Sequence, residues 1–482
     1  MNISTRTQLE NSRSYVQIKD IEKSLNQEWQ ELTSVYLPMV SEDLKWRCSR
    51  RPASADPEQG WKIHVSATLL TANTVLEKVA PLLKNRAVLF KTPYSLEELD
   101  KINSGVHYGY SQVGKFITVY PRSDEEALFL ASELHNLTSG IAAPTIPFDT
   151  QLQPESCVYY RYGAFGDLEI KNPDGSVTSA IRTPEGNLIA DLRDSCTTPD
   201  WVSDPFIEAG LHKKAKKSTS PLNTTFRAFR ALAQRGKGGV YQAIDLRGKS
   251  PRLCVIKEGR RNGETCWDGR DGYWRVAHEE QVLRSLHASG VTVPSLYTSF
   301  EANGNYYVVM ESVDGENLEL LLKKRARRLS IIQVMKYAVE IAEILSQIHA
   351  AGWIWRDCKP SNFIRTRSGS LVPCDFEGAV TTGGFDTMTW DTPIFSSPES
   401  QYINSETIET SADIYSLGAV VYFLLTGRYV SASSEVSIKN LRPKVPQYIC
   451  NLVLEFLSSN PKQRPSAEIA AKKLKEAIIF YC

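Results

Sequence analysis

The chain has nine cysteines but no Cys-x-x-Cys pair, and its seven histidines are dispersed, so the spacing of a disulfide framework or a zinc centre is missing. Scattered thiols fit a reducing compartment. An excess of either charge is also missing, with 56 Lys and Arg against 55 Asp and Glu and a net charge of +1. No global electrostatic argument for nucleic acid or a membrane surface survives that balance. The N-terminal run MNISTRTQLENSRSY has no apolar core of the secretory kind, and no uninterrupted apolar stretch is long enough to cross a bilayer. The expectation is a cytoplasmic protein with neither nucleic acid nor membrane as partner. Its 482 residues allow about two or three domains, and no internal repeat divides them.

What is present begins with a mixed α+β pattern. Residues 15–40 alternate apolar and charged positions as a helix does, and 48–60 reads as a polar, proline-containing loop. Trp61–Ala67 (WKIHVSA) alternates as a strand, with Lys62, His64 and Ser66 on one face and Ile63 and Val65 on the core face. A helix over Thr71–Lys84, a short strand Ala87–Phe90 ending at Lys91, and a strand Phe116–Tyr120 closed by Pro121 follow. Ser123 and Glu126 form a capping box for a helix over Asp124–Leu137. Val158–Tyr162 is a further strand, and Thr183–Leu192 a hairpin around Pro184-Glu185-Gly186-Asn187. Lys62, His64, Lys91 and Arg161 all fall on or beside strands. Singly, each fits an exposed residue on a half-solvated sheet; together they point to a pocket for an oxyanion or a phosphate.

His212–Lys217 (HKKAKK) and the Ser-Thr-Ser-Pro after it have the composition of a solvated linker. The expected division is 1–205, a linker 206–225, and 226–482. In the second half Gly236, Gly238 and Gly239 precede Val240, an arrangement for a hairpin whose amides approach phosphates closely. The strand Leu253–Lys257 presents Lys257. In the helix Val276–Leu286, Leu283 and Leu286 fall four and seven residues after Glu279, which favours Glu279 over Glu280 as the partner of Lys257. Between them Gly259–Tyr273 is polar and rich in Arg and Gly, the composition of a surface loop. Tyr306–Glu311 reads as a strand, Lys323–Arg328 (KKRARR) as a solvated helix face, and Val334–His349 as a long buried helix. The run Trp355-Arg-Asp-Cys-Lys-Pro-Ser-Asn362 comes next, then Asp375 in CDFEG, Ser397-Pro398-Glu399, Asp413 in SADIYSLG and Arg464 in QRPS.

In that order these motifs resemble a protein-kinase catalytic domain, from about Phe226 to the C-terminus. The resemblance implies a bilobal fold that uses ATP or another nucleoside triphosphate with Mg2+. Gly236, Gly238, Gly239 and Lys257 would meet the nucleotide phosphates, with Glu279 orienting Lys257. Asp357 would take the acceptor hydroxyl proton, Lys359 would contact the transferred phosphate, and Asn362 and Asp375 would hold metal. Glu399 is expected to pair Arg464, and Asp413 to stiffen the catalytic loop. Trp355 stands where the family has His, and Glu377 where Gly is common; altered flexibility of the activation segment is expected from them.

The N-terminal series KIH, FK, GKFITVYP and YYRYG resembles the lyase domain of class III lanthipeptide synthetases, itself similar to phosphothreonine lyases of pathogenic bacteria. The chemistry it implies is elimination of phosphate from phosphoserine or phosphothreonine. Lys91 would be the base, its pKa depressed by burial or positive neighbours, and His64 the acid. Lys62 and Arg161 would hold the phosphate, with Lys115 and Tyr120 as further candidates. The Arg that the family places before GKF is missing from Val106–Val113, so one phosphate contact is expected to be lost. The Gly259–Tyr273 segment resembles an insert in the same kinases.

The combined expectation is a bifunctional dehydratase: a phosphothreonine-lyase-like α+β domain, then a bilobal kinase, acting on a precursor peptide with a leader. Because the chain stops at Cys482, ring closure is expected to be absent or supplied by a separate cyclase protein. A signalling Ser/Thr kinase with an N-terminal sensory or substrate-binding domain is the alternative, and a non-catalytic scaffold is disfavoured by intact Lys257, Asp357, Asn362 and Asp375.

Overall fold

The computed structural model describes residues 15–166, 168–213, 220–222, 224–324, 328–384, 386, 394–401, 408–430 and 438–481. Its N-terminal half is built on an antiparallel, seven-stranded sheet. The strands run in the order Met39–Val40, Trp46–Cys48, Leu89–Pro93, Ile117–Tyr120, Gln59–Val65, Val158–Ala164, Thr150–Gln151. Alternation divides this sheet into two chemically different faces. Ile63, Val65, Phe90 and Val119 point to one side, where Val75 and Val79 of helix Ala72–Asn85 and Leu130 and Leu134 of helix Asp124–Thr138 complete a dry core. The opposite face carries Lys62 and His64, and both are buried there too.

Local signals explain where these helices begin. Ser123 Oγ accepts the Glu126 N–H at 3.2 Å, and acidic residues fill the first turn of the helix, as its dipole favours. Ser95 caps helix Leu96–Ser104 in the same way, and Gly105, at φ +70°, ends it. The strand expected to stop at Lys91 runs through it to Pro93, because the Trp46–Cys48 strand pairs with it from the other side. A three-stranded sheet, Leu188–Ala190, Val177–Arg182 and Glu169–Lys171, contains the expected hairpin.

The N-terminal unit continues past residue 205. Phe206 is fully buried and stacks on Tyr160 with ring centroids 3.9 Å apart, and the Lys213 N–H donates to Leu152 O at 3.1 Å. The first residues assigned to the linker are therefore core. Most of the HKKAKK run, from Lys214, lies outside the described residues, as do residues 325–327 of the KKRARR run.

The second half opens with a five-stranded antiparallel sheet, Phe226–Arg235, Gly238–Asp245, Arg252–Gly259, Asn305–Glu311 and Leu296–Ala302, against which helix Gly272–Ala288 packs. A helical lobe follows, centred on helix Ile331–Ala350. Val334, Ala338, Ile341, Leu345 and Ile348 recur every three or four residues along its buried stripe. Each fully buried Leu or Ile there contributes roughly 1.5–3 kcal/mol of transfer free energy.

Gly259–Tyr273 corrects the surface-loop expectation. Arg260, Thr265, Cys266, Asp268, Arg270 and Asp271 are buried, and Trp267 packs against the N-terminal core. Asp271 caps helix Gly272–Ala288 by accepting the Trp274 N–H at 3.0 Å and also takes the Asn262 N–H at 2.7 Å. Asn262 Nδ2 in turn donates to Ala143 O at 3.3 Å. Arg and Gly were misleading because the charges are paired inside the joint between the halves.

Candidate active sites

In the second half the strand Arg252–Gly259 places Lys257 beside helix Gly272–Ala288, and Lys257 Nζ lies 2.7 Å from both carboxylate oxygens of Glu279. Glu280 turns elsewhere, accepting from Tyr306 Oη at 2.5 Å and Ser299 Oγ at 2.9 Å. Lys257 also reaches Asp375 Oδ1 at 2.9 Å. Burial would lower the Lys257 ammonium, but Asp375 and Glu279 outweigh it and raise its pKa well above the ordinary value. Asp375 is held correspondingly low: Lys257 and Lys237 overcome the effect of its burial.

The catalytic-loop residues form a second cluster. Lys359 Nζ is 2.8 Å from Asp357 Oδ2, and Asn362 Nδ2 donates to the same oxygen at 2.7 Å. Asp413 accepts the backbone N–H groups of Trp355 at 2.9 Å and Arg356 at 2.8 Å. Those bonds hold Arg356 at φ +69°, a left-handed conformation that a non-glycine residue adopts only under such constraint. Trp355 stacks on Phe376 at 5.1 Å and donates its indole N–H to Asp375 O at 2.9 Å. The aromatic departure thus supports the acidic motif directly. Glu377, the other departure, pairs with Lys237 at the tip of the glycine hairpin. Glu399 meets Arg464 Nη2 at 2.9 Å.

The glycines serve close packing within the chain, Gly236 and Gly238 against backbone and Gly239 against the Tyr241 side chain. A Cβ on Gly238 would stand 1.7 Å from Glu258 O, one on Gly239 2.3 Å from Tyr241 Oη, and one on Gly236 1.6 Å from Asn103 O. The Gly236 N–H donates to Ser104 O at 2.9 Å, so this amide is committed to the N-terminal half. As for metal, Asn362 and Asp375 are the hard oxygen donors that Mg2+ takes; the Asn362 side-chain N–H is donated to Asp357, and its side-chain oxygen, which accepts from Ser361 Oγ at 3.5 Å, is the atom that would ligate. The donor set fits that ion.

The polar face of the N-terminal sheet brings its candidates together. Lys91 pairs in register with Thr118, Thr118 with His64, and Lys62 with Arg161, so these side chains occupy adjacent rows of one face. Tyr120, two residues beyond Thr118, shares that face and packs edge-on against Phe165. Lys91 Nζ lies 4.2 Å from the Trp46 ring centroid. Burial, with Arg193 beside it, pulls Lys62 well below the ordinary lysine range, while Asp191 opposes. His64 Nδ1 is 2.5 Å from Asp149 Oδ2, and Lys115 Nζ is 3.1 Å from Asp149 Oδ1. Burial lowers His64 to about 4 against the opposing Asp149 carboxylate. Burial would raise Asp149, but His64, Lys115 and Arg161 keep it ionised.

Asp149, Asp191 and Arg193 escaped the sequence reading. Asp191 Oδ1 accepts from Arg161 Nη2 at 2.6 Å, and Arg193 Nη2 lies 3.8 Å from Asp191. Arg193 thus supplies a cation from the hairpin side where the Val106–Val113 segment has none. Each of these residues follows a loop or hairpin strand without periodic signal, and only the sheet pairing could have located them.

A bilobal fold with a paired Lys257–Glu279, an Asp357–Lys359–Asn362 loop and Asp375 beside them defines a protein kinase, and the chain belongs to the protein kinase family, whose domain model matches residues 229–474. Residues 38–218 match the family described as RamC, N-terminal domain. The chain is 30% identical over 345 residues to the probable SapB synthase of Streptomyces coelicolor, covering 68% of this chain and 36% of that protein. It is 29% identical over 255 residues to serine/threonine-protein kinase F of Synechocystis, covering 48% of this chain and 51% of that one. Serine/threonine-protein kinase PknA of Nostoc is 30% identical over 216 residues, 43% of this chain and 38% of the relative. The chain therefore spans between about a third and a half of these relatives' lengths. Among the described residues, no helix is long and apolar enough to cross a membrane.

Proposed function

We propose that this chain phosphorylates Ser or Thr of a precursor peptide carrying a leader and then eliminates the phosphate, leaving dehydroalanine or dehydrobutyrine. The observation that carries this reading is the pair of separate constellations. One is an acidic, oxygen-donor cleft around Asp357, Asn362 and Asp375; the other is a basic sheet face around Lys62, His64, Lys91 and Arg161. The similarity to SapB synthase across both halves supports assigning them to one peptide substrate.

In the first step Asp357 orients the acceptor hydroxyl and takes its proton as the oxygen bonds to the γ phosphorus of ATP or another triphosphate and the diphosphate leaves. Bound Mg2+, held by Asn362 and Asp375, supplies charge neutralisation at the phosphates. Lys257 steadies the α and β phosphates and Lys359 the transferred group. In the second step Lys91 takes the α proton, the Cα–Cβ double bond forms, the Cβ–O bond breaks, and phosphate departs with a proton from His64. Lys62 and Arg161, with Lys115, Arg193 and Tyr120 around them, offset the phosphate charge. Its arrival beside His64 opposes the effect of burial and favours the protonated imidazole that an acid needs.

Co-expression with a neighbouring-gene peptide that has a Ser/Thr/Cys-rich tail tests this by intact mass. Net loss of water supports dehydration, whereas a stable phosphate gain returns the protein to the signalling-kinase reading that its similarity to Ser/Thr kinases favours. Lys91→Ala and His64→Ala are expected to accumulate phosphopeptide. Full dehydration by both variants sinks the elimination roles.

A further inference from the structure

Between the Asp375 motif and Ser397, the side chain of Asp386 is buried against two guanidinium groups. One carboxylate oxygen pairs with Arg270 Nη2, and the other lies 2.5 Å from Arg356 Nη1. Arg356 immediately precedes Asp357, and its backbone is pinned by Asp413. Arg270 comes from the Gly259–Tyr273 insert, where Asp268 Oδ2 holds its Nε at 2.6 Å and Trp274 lies beneath it at 4.7 Å. Relative exposure is 8% for Arg270, 8% for Arg356 and 6% for Asp386, so these charges meet out of water. Burial would raise the Asp386 carboxyl, but Arg270 and Arg356 hold it ionised.

Phosphorylation orders kinase activation segments by giving an arginine cluster a dianion to bind. Here a carboxylate encoded in the chain sits at such a cluster. A buried guanidinium stripped of its counter-ion is strongly unfavourable, so the arrangement that buries Arg356 beside the catalytic loop needs Asp386 in place. We infer that Asp386 is a positioning residue that stands in for an activation-segment phosphate, setting the catalytic loop through Arg356 so that phosphoryl transfer needs no prior phosphorylation of the segment. Arg270 ties that state to the docked insert, and through Trp267 to the N-terminal core. The inference rests on the kinase reading.

The test uses the full chain, phosphatase-treated and verified phosphate-free by intact mass, with ATP, Mg2+ and the neighbouring-gene peptide. The treated protein is expected to begin transfer without a lag at the untreated rate. Asp386→Asn should lower kcat at least tenfold with the ATP KM within about twofold, and Asp386→Glu should recover part of the loss. Loss of transfer on phosphatase treatment alone overturns the inference and leaves the kinase reading intact, as does an undiminished kcat in a folded Asp386→Asn. No transfer from untreated protein overturns both. Should Asp386→Asn fail to fold, the phosphatase comparison on the unaltered chain decides.

Discussion

His64 and Asp149 illustrate how one buried pair shapes both chemistry and stability. Burial holds the imidazole near 4 against an ordinary 6.5, so between those values the folded chain binds fewer protons than the unfolded one. The associated stability is fully present above pH 6.5 and is lost as the pH falls through that window, up to about 3 kcal/mol at about 1.4 kcal/mol per unit. Thermal unfolding from pH 7.5 to 4.5 should therefore show a steeper fall for the wild type than for His64→Gln; parallel curves would mean that the imidazole is not held neutral. Asp149→Ala leaves Lys115 buried without its carboxylate and is expected to cost about 3–5 kcal/mol in urea unfolding. Lys62 and His64 were legible because alternation puts them on one face of a strand, and Lys91 and Arg161 because each lies on or beside a strand. Asp149 was not: it meets His64 across 85 residues of sequence, from a segment without periodicity.

At the scale of elements, helix Ile331–Ala350 was legible from its long apolar stripe, read from Val334 onward; its true start is set by the Ser330 cap, which accepts the Gln333 N–H at 3.2 Å. Its side chains form the centre of the larger lobe, with Leu345 fully buried. Leu345→Ala should destabilise the lobe by about 2–5 kcal/mol, according to how far the cavity collapses. A loss below about 1 kcal/mol in chemical denaturation would show that the helix is not the lobe's centre. The burial of the Gly259–Tyr273 insert was not legible because composition reports charge and not pairing. Asp268, Asp271 and Asp386 neutralise or cap what the arginines and the helix N-terminus present. Asp386 lies far along the chain, so no local window contains both partners.

Across the whole molecule, the halves meet at the glycine hairpin and the insert. The Gly236 N–H reaches Ser104 O, Arg260 lies 4.9 Å over the Tyr110 ring, and Trp267 joins the N-terminal core. The glycine hairpin is thus braced by the other half of the chain, and opening that joint should expose the Gly236 amide to exchange. Trp267→Ala removes the largest apolar contribution from the insert while leaving every proposed catalytic side chain in place. Because the ring is only partly covered, its loss should cost less than the about 3–5 kcal/mol of a fully buried Trp→Ala. Hydrogen exchange of peptides spanning 231–240 and 260–272 should accelerate together in the variant, while peptides within Ile331–Ala350 stay as protected as in the wild type. Faster exchange in the insert alone would mean that the hairpin is braced independently. Unchanged exchange in both would mean that the two halves are not held together through this tryptophan.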